Sequence, residues 1–209
     1  MKKFIYLILL ILFIFSCNKK KLNNPNIILI VADDLGWTDL SYMGSKYYET
    51  PNIDKLSKSG ITFLNGYASS ANCAPSRATM MSGKYHPSHG IYTVSPSERG
   101  LDITRKIIPV KNTENLSLDF FTIAEMLKSK GYVNAHVGKW HLGEKGHYPK
   151  DQGFDVNIGG WESGGPRGGY FSPYSNPNLE NGPKGEYLTD RLTEEAINFI
   201  DDNKDNKFF

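Results

Sequence analysis

The feature that most constrains this chain is Asn26-Ile27-Ile28-Leu29-Ile30-Val31-Ala32, a continuous apolar, Ile-rich run closed by Asp33-Asp34-Leu35-Gly36. A strand with one wet face alternates. A run without alternation fits a strand covered on both faces, as in a parallel sheet sandwiched by helices. Further signals alternate in kind. Thr50-Pro51 reads as an N-cap with Pro at N1, opening a helix to about Ser59 with Gly60 at C′. Ile61 to Tyr67 reads as a second strand, and Thr122-Ile123-Ala124-Glu125 is a capping box whose helix stops at Gly131. Tyr132 to Gly138 then reads as a strand. Leu188, Leu192, Ala196, Phe199 and Ile200 recur at helical spacing and mark a helix to about Asp202. Strand and helix in alternation predict an α/β fold with a mostly parallel sheet flanked by helices.

Composition narrows the function. Lys and Arg number 24 against 22 Asp and Glu; setting aside Lys2 and Lys3 near the N-terminus leaves 22 of each, no surplus to neutralise a phosphate backbone, so a nucleic-acid binder is excluded. Two cysteines do not make a disulfide scaffold. The segments 84–118 and 144–186 are rich in Gly, Pro and Tyr, too long for plain connections, and expected to line a site.

The first residues read as an address. Met1-Lys2-Lys3 is a basic n-region, and Phe4 to Phe15 is an apolar run shorter than the about 20 residues a spanning helix needs. Ile14-Phe15-Ser16-Cys17 ends it and resembles the lipobox of bacterial lipoproteins, with Ile14 and Phe15 departing from the usual residues. Residues 1–16 are thus expected to be a lipoprotein-type signal peptide, with membrane attachment through lipid on Cys17 and export to the periplasm or outer membrane. Residues 17–25 read as a polar tether, and residues 26–209 as one catalytic region. Lys207-Phe208-Phe209 opens a further apolar run and stops, so the region reads as incomplete, truncated at its C-terminus.

Three clusters concentrate chemistry. Asp33-Asp34 follows the first strand, where ligands bind in open α/β sheets. Adjacent acids suit a hard divalent cation and suit an ordinary solvated turn as well. Cys73-Ala74-Pro75-Ser76-Arg77 leads into a short helix ending at Gly83. Cys73 then sits at a helix N-terminus, which favours anions, and Arg77 projects from the same side. A small buried cysteine and a surface arginine would give the same string. Gly138-Lys139-Trp140-His141 closes a strand, so Lys139 and His141 share a face and Trp140 points away. That pairing suits anion binding with proton transfer, or equally a core Trp with two solvated neighbours. His86 and His89 read as rim residues, and His136 as a core histidine with its hydrogen bonds satisfied.

Together these blocks resemble the type I sulfatases of the alkaline phosphatase superfamily. Cys73-Ala74-Pro75-Ser76-Arg77 resembles their C-x-P-S-R signature, continued by Ser82-Gly83-Lys84. Asn26 to Gly36 is similar to the family's opening strand and metal acids, and Tyr48 to Asp54 and Gly138 to Gly143 to further family blocks. The resemblance implies an alkaline-phosphatase-like α/β fold and hydrolysis of sulfate esters, with a sulfated carbohydrate as substrate. It implies that a maturation enzyme oxidises Cys73 to formylglycine, whose hydrate attacks sulfur with one hydroxyl and expels sulfate through the other. It further implies that one calcium ion is held by Asp33, Asp34 and the modified Cys73, with Arg77, Lys139 and His141 as catalytic partners. Three ligands fall short of the six to eight oxygens that calcium takes, so these 209 residues alone are expected to be inactive. Two alternatives stay open: a phosphodiesterase or phosphonate hydrolase of the same superfamily, and a non-catalytic glycan-binding lipoprotein.

Overall fold

The computed structural model describes residues 24–209. The expected signal peptide, Cys17 and most of the tether lie outside the described residues. Among the described residues no helix is long and apolar enough to cross a membrane.

Helix α1 is Pro51–Ser59, α2 is Cys73–Ser82, α3 is His86–His89, α4 is Ile123–Ser129 and α5 is Leu188–Asp202. The regular strands are short: β1 is Ala135–Val137 and β2 is Val156–Ile158. They pair in parallel with Ala135 opposite Val156 and Val137 opposite Ile158. A parallel bridge joins Val133 to Phe208, and the Ile27 amide donates to the Phe208 carbonyl at 2.9 Å. Extended chain thus runs side by side in the order 26–27, 207–209, 133–137, 156–158. This is the α/β, parallel arrangement that the alternation of signals predicts.

Local sequence explains the helices. Thr122 caps α4 by accepting from the Glu125 amide while the Glu125 carboxylate accepts from the Thr122 amide. Gly131, at φ 79°, lets the chain turn back after α4 without the Cβ clash an L-residue would meet there. Helix α5 turns its apolar stripe inward. Leu192 reaches the backbone of Gly138 and Gly159 so closely that a Cβ on either glycine would stand 3.6 Å from it. Phe199 meets Phe208 edge to face. Helix α2 buries Ala74, Ala78 and Met81, spaced i, i+4, i+7, against Ile91, Leu116, Ala124, Trp140, Leu142 and Phe154. That core holds α2 by one face and leaves Cys73 and Arg77 on the neighbouring one.

Four expectations need correction. Residues 26–32 are extended but, among the described residues, join the other strands only at their start, through the Asn26 side chain and the Ile27 amide, and they are not covered. Ile28 is 64% exposed and Ile30 is 82% exposed. Residues 61–67 form no strand either, and Ile61, Phe63, Leu64 and Tyr67 are exposed. The physical reason is the same in both: apolar runs become buried strands only where another element lies over them, and no described element does. Gly60 ends α1 with an extended backbone instead of a left-handed cap. His89 is buried instead of lying on a rim. Its Nδ1 accepts from the Ile91 amide, and its Nε2 stands 3.3 Å from the Thr79 hydroxyl.

Candidate active site

The site gathers at the start of α2 and at the bend after β1. Asn72 caps α2 with no side-chain bond to the helix, and its amide nitrogen donates to the Thr93 hydroxyl at 2.8 Å. The first-turn amides are therefore left without a side-chain acceptor, an arrangement that favours an anion in front of them. Cys73 opens this helix as a free, half-buried thiol. Arg77, one turn on, is pinned at both ends of its guanidinium. Its Nε and Nη2 donate to Asp33 Oδ1 at 3.2 and 2.9 Å, and its Nη1 donates to the Lys139 carbonyl. The Lys139 ammonium lies 2.5 Å from Asp33 Oδ2. One carboxylate thus organises two cations, and neither can swing away without leaving one of its oxygens without a partner.

The electrostatics follow from that packing. Burial alone would raise the Asp33 pKa. Hydrogen bonding and charge from Lys139 and Arg77 outweigh it and hold the carboxyl below its ordinary range. His141 goes the other way. Burial, then the positive charges of Lys139 and Arg77, lower its pKa to about 4, so the ring is neutral at pH 7. Its Nδ1 is buried without a hydrogen-bond partner among the described residues.

The backbone is bent to achieve this. Strand β1 ends before Gly138, which adopts φ 94°. The Gly138 amide donates to the Ile158 carbonyl at 2.8 Å and the His141 amide to the Trp161 carbonyl at 3.0 Å. Trp140 is buried at 1% exposure, and its indole donates to the His147 carbonyl. Lys139 and His141 are left to the site while Trp140 anchors the bend in the core. His141 itself has φ 62°, and Asp34 has φ 56°, conformations that non-glycine residues adopt at some cost and that cluster at functional sites. Gly164 closes over the His141 ring so tightly that a Cβ there would stand 2.6 to 3.1 Å from its atoms.

The structure brings Asp33, Arg77, Lys139 and His141 together and sets Cys73 at the head of the helix that carries Arg77. It does not draw Asp34 into their hydrogen bonds; that residue is exposed. The acids fit a hard divalent cation in kind, being carboxylate oxygens, one of which, Asp33 Oδ2, is buried against the Lys139 ammonium. They fall short in number, since no group of three or more His, Cys, Asp or Glu converges as a metal centre among the described residues.

Both Gly-rich segments line the cavity next to the site, as expected of long ordered loops. Sequence reasoning missed Tyr148, Glu144 and Glu162 there. Nothing in their spacing announces them, although the Gly164-Gly165 and Gly168-Gly169 pairs mark a loop folded close to other groups. His136 is also not the satisfied core residue expected, because its buried Nδ1 has no hydrogen-bond partner among the described residues.

The chain matches a family model described as Sulfatase over residues 25–209. It is 34% identical over 199 residues to mouse N-acetylgalactosamine-6-sulfatase, covering 84% of this chain and 36% of the mouse protein. It is 41% identical over 154 residues to a sulfatase of Formosa agariphila, covering 68% of this chain and 28% of that protein. Among solved structures it resembles Ps i-CgsB in complex with a neocarrahexaose, with TM-score 0.71 and 34% identity over 88% of this chain and 43% of that one. It also resembles a protein solved with its substrate D-glucosamine-2-N,6-O-disulfate, with TM-score 0.65 and 31% identity over 88% of this chain and 33% of that one. The chain therefore spans about a third of the length of these curated relatives.

Proposed function

The chain belongs to the sulfatase family, and from that premise we propose that the protein hydrolyses sulfate esters of sugars, with a nucleophile made from Cys73. The observation that carries this reading is the meeting of Arg77, Lys139 and Asp33 beside the uncapped helix end that Cys73 opens. Two cations fixed by one carboxylate leave one net positive charge, which suits the singly charged sulfate ester, and developing charge on sulfate oxygens is what such a site stabilises.

Each residue has a part that its surroundings dictate. Lys139 offers a compact ammonium to a sulfate oxygen. Arg77, held flat by Asp33 and the Lys139 carbonyl, keeps its guanidinium next to the first turn of α2. Neutral His141 carries one proton and one lone pair, so it can hydrogen-bond either the attacking oxygen or the departing one. A formylglycine at position 73, installed by a maturation enzyme, supplies a hydrated aldehyde as nucleophile, which a thiol cannot replace. Asp33 and Asp34 would hold calcium with oxygens beyond these two side chains, and the ion would supply charge neutralisation at the sulfate. Because the described residues provide so few of the oxygens calcium takes, the 209 residues alone are expected not to turn over substrate.

The sugar assignment is supported by three of the names above: an N-acetylgalactosamine-6-sulfatase, a structure holding a neocarrahexaose, and a structure holding its substrate D-glucosamine-2-N,6-O-disulfate. Export as a lipoprotein through Cys17 remains part of the proposal, resting on the sequence of residues 1–17 alone. The test is turnover by the full-length protein matured with its oxidising enzyme. An aryl sulfate should be hydrolysed much faster than an aryl phosphodiester, and Cys73→Ala should abolish it. Preference for the phosphodiester would move the protein to the hydrolase branch of the superfamily. Sugar binding with no turnover of either would make it a glycan-binding protein.

A further inference from the structure

A cavity of about 350 Å³ opens beside His141, with Ala74, the residue after Cys73, in its wall. The size is at the small end for ligand sites, enough for one sugar ring and not for a longer segment. Its other walls come from the two long loops, and their charges are uneven. Glu114, Glu144 and Glu162 face one cation, Arg167, whose guanidinium rests 5.0 Å over the Trp161 ring.

Glu162 is fixed. The Tyr148 hydroxyl donates to its Oε2 at 2.6 Å. Burial, then Glu162 and Glu144, push the Tyr148 phenol up to about 12, so it stays a donor across the working pH range. The second oxygen of Glu162 has no protein hydrogen bond among the described residues. Asn115 is fixed in the same way: its carbonyl oxygen accepts from the Glu144 amide at 3.1 Å, which leaves its amide nitrogen for a ligand. A fixed carboxylate acceptor, Glu162, and a free amide donor, Asn115, are the partners of hydroxyl groups. The carboxylates are poor company for a sulfate or a carboxylate ligand, which can only accept.

We propose that this cavity is the leaving-group site and that it selects one neutral, hydroxyl-rich hexose whose only sulfate is the scissile one. The inference rests on the sulfatase reading and adds to it the class of sugar. A second anion on the same ring would lie against Glu144 and Glu162, and desolvated like charges are how a site rejects a competitor. Arg167, an exposed wall residue, is outnumbered there by the three carboxylates.

The test uses the full-length matured protein with three probes: 4-nitrophenyl sulfate, a panel of monosulfated hexoses, and disulfated hexoses that share the scissile position. The expected result is a kcat/KM at least about tenfold higher for the best monosulfated sugar than for its disulfated counterpart. Glu162→Gln keeps size and the Tyr148 bond while removing charge, and should narrow that ratio severalfold; Glu144→Gln should narrow it as well. Hydrolysis of the aryl sulfate with equal or better use of disulfated sugars, with no use of any hexose sulfate, or with a ratio unmoved in both variants overturns this inference and leaves the sulfatase reading standing. Failure on all three probes overturns both.

Discussion

Replacing His136 should make the protein less sensitive to acid, by an amount that can be worked out. His136 sits on β1 opposite Asn157, with its ring edge-on to Trp140 and Phe154 at centroid distances of 5.2 and 5.4 Å. Burial, then the positive charge of Arg77, lower its pKa to about 3, against a backbone hydrogen bond at Lys139 that raises it. In the unfolded chain an imidazole titrates near 6.5. Below that pH the unfolded state binds a proton that the folded state refuses, so stability falls as pH falls, from about 6.5 down to the folded value. Between pH 7 and pH 5 the loss from this one group is about 2 kcal/mol. The figure hardly depends on whether the folded ring titrates at 3 or at 4, because it is neutral at pH 5 in either case. The assay is urea unfolding of the full-length protein at pH 7 and pH 5, followed by Trp fluorescence, for the wild type and His136→Leu. The variant should be spared about 2 kcal/mol of the wild-type loss, whatever its stability at pH 7. His141 behaves alike in both proteins and cancels. Equal losses in the two proteins, or an NMR titration placing His136 near 6.5, would refute the reasoning.

Other perturbations have equally definite outcomes. Gly164→Ala should push the His141 ring aside, since its Cβ would fall 2.6 Å from Cε1, and kcat should drop about a hundredfold with little change in Tm, as a displacement of about 1 Å can cause. Arg77→Lys retains the charge but cannot serve Asp33 and the Lys139 carbonyl together; kcat/KM should fall on the order of a hundredfold, and activity near wild type would mean that the fork is unnecessary. Chelation of the full-length protein should remove turnover and added calcium restore it, whereas full activity in excess chelator would exclude the metal role of Asp33 and Asp34.

The parts of the molecule legible in the sequence are those whose causes are local. The capping box at Thr122, the helix opened by Cys73 and stopped by Gly83, and the apolar stripe from Leu188 to Ile200 all depend on residues within a few positions of one another. The site clusters were legible for the same reason: Cys73 with Arg77 and Lys139 with His141 each fall within one turn or bend. What failed depended on distant neighbours. The run at 26–32 has the composition of a buried strand, but burial is a property of what lies over it, and Ile28 and Ile30 face solvent. Asp33 and Asp34 are adjacent in sequence, yet the left-handed backbone at Asp34 separates their surroundings: one is tied to Arg77 and Lys139, the other is exposed. The grip of Tyr148 on Glu162 joins two loop positions with no periodicity between them, so no pattern of spacing could have announced it.

The central claim is that Cys73 ceases to be a cysteine before the enzyme works. The most direct measurement is the mass of the peptide carrying residue 73, taken from full-length protein made together with a maturation enzyme. The account predicts a peptide lighter by the difference between a CH2–SH group and a CHO group, capturable by a hydrazide. An unmodified thiol in fully active protein would contradict it.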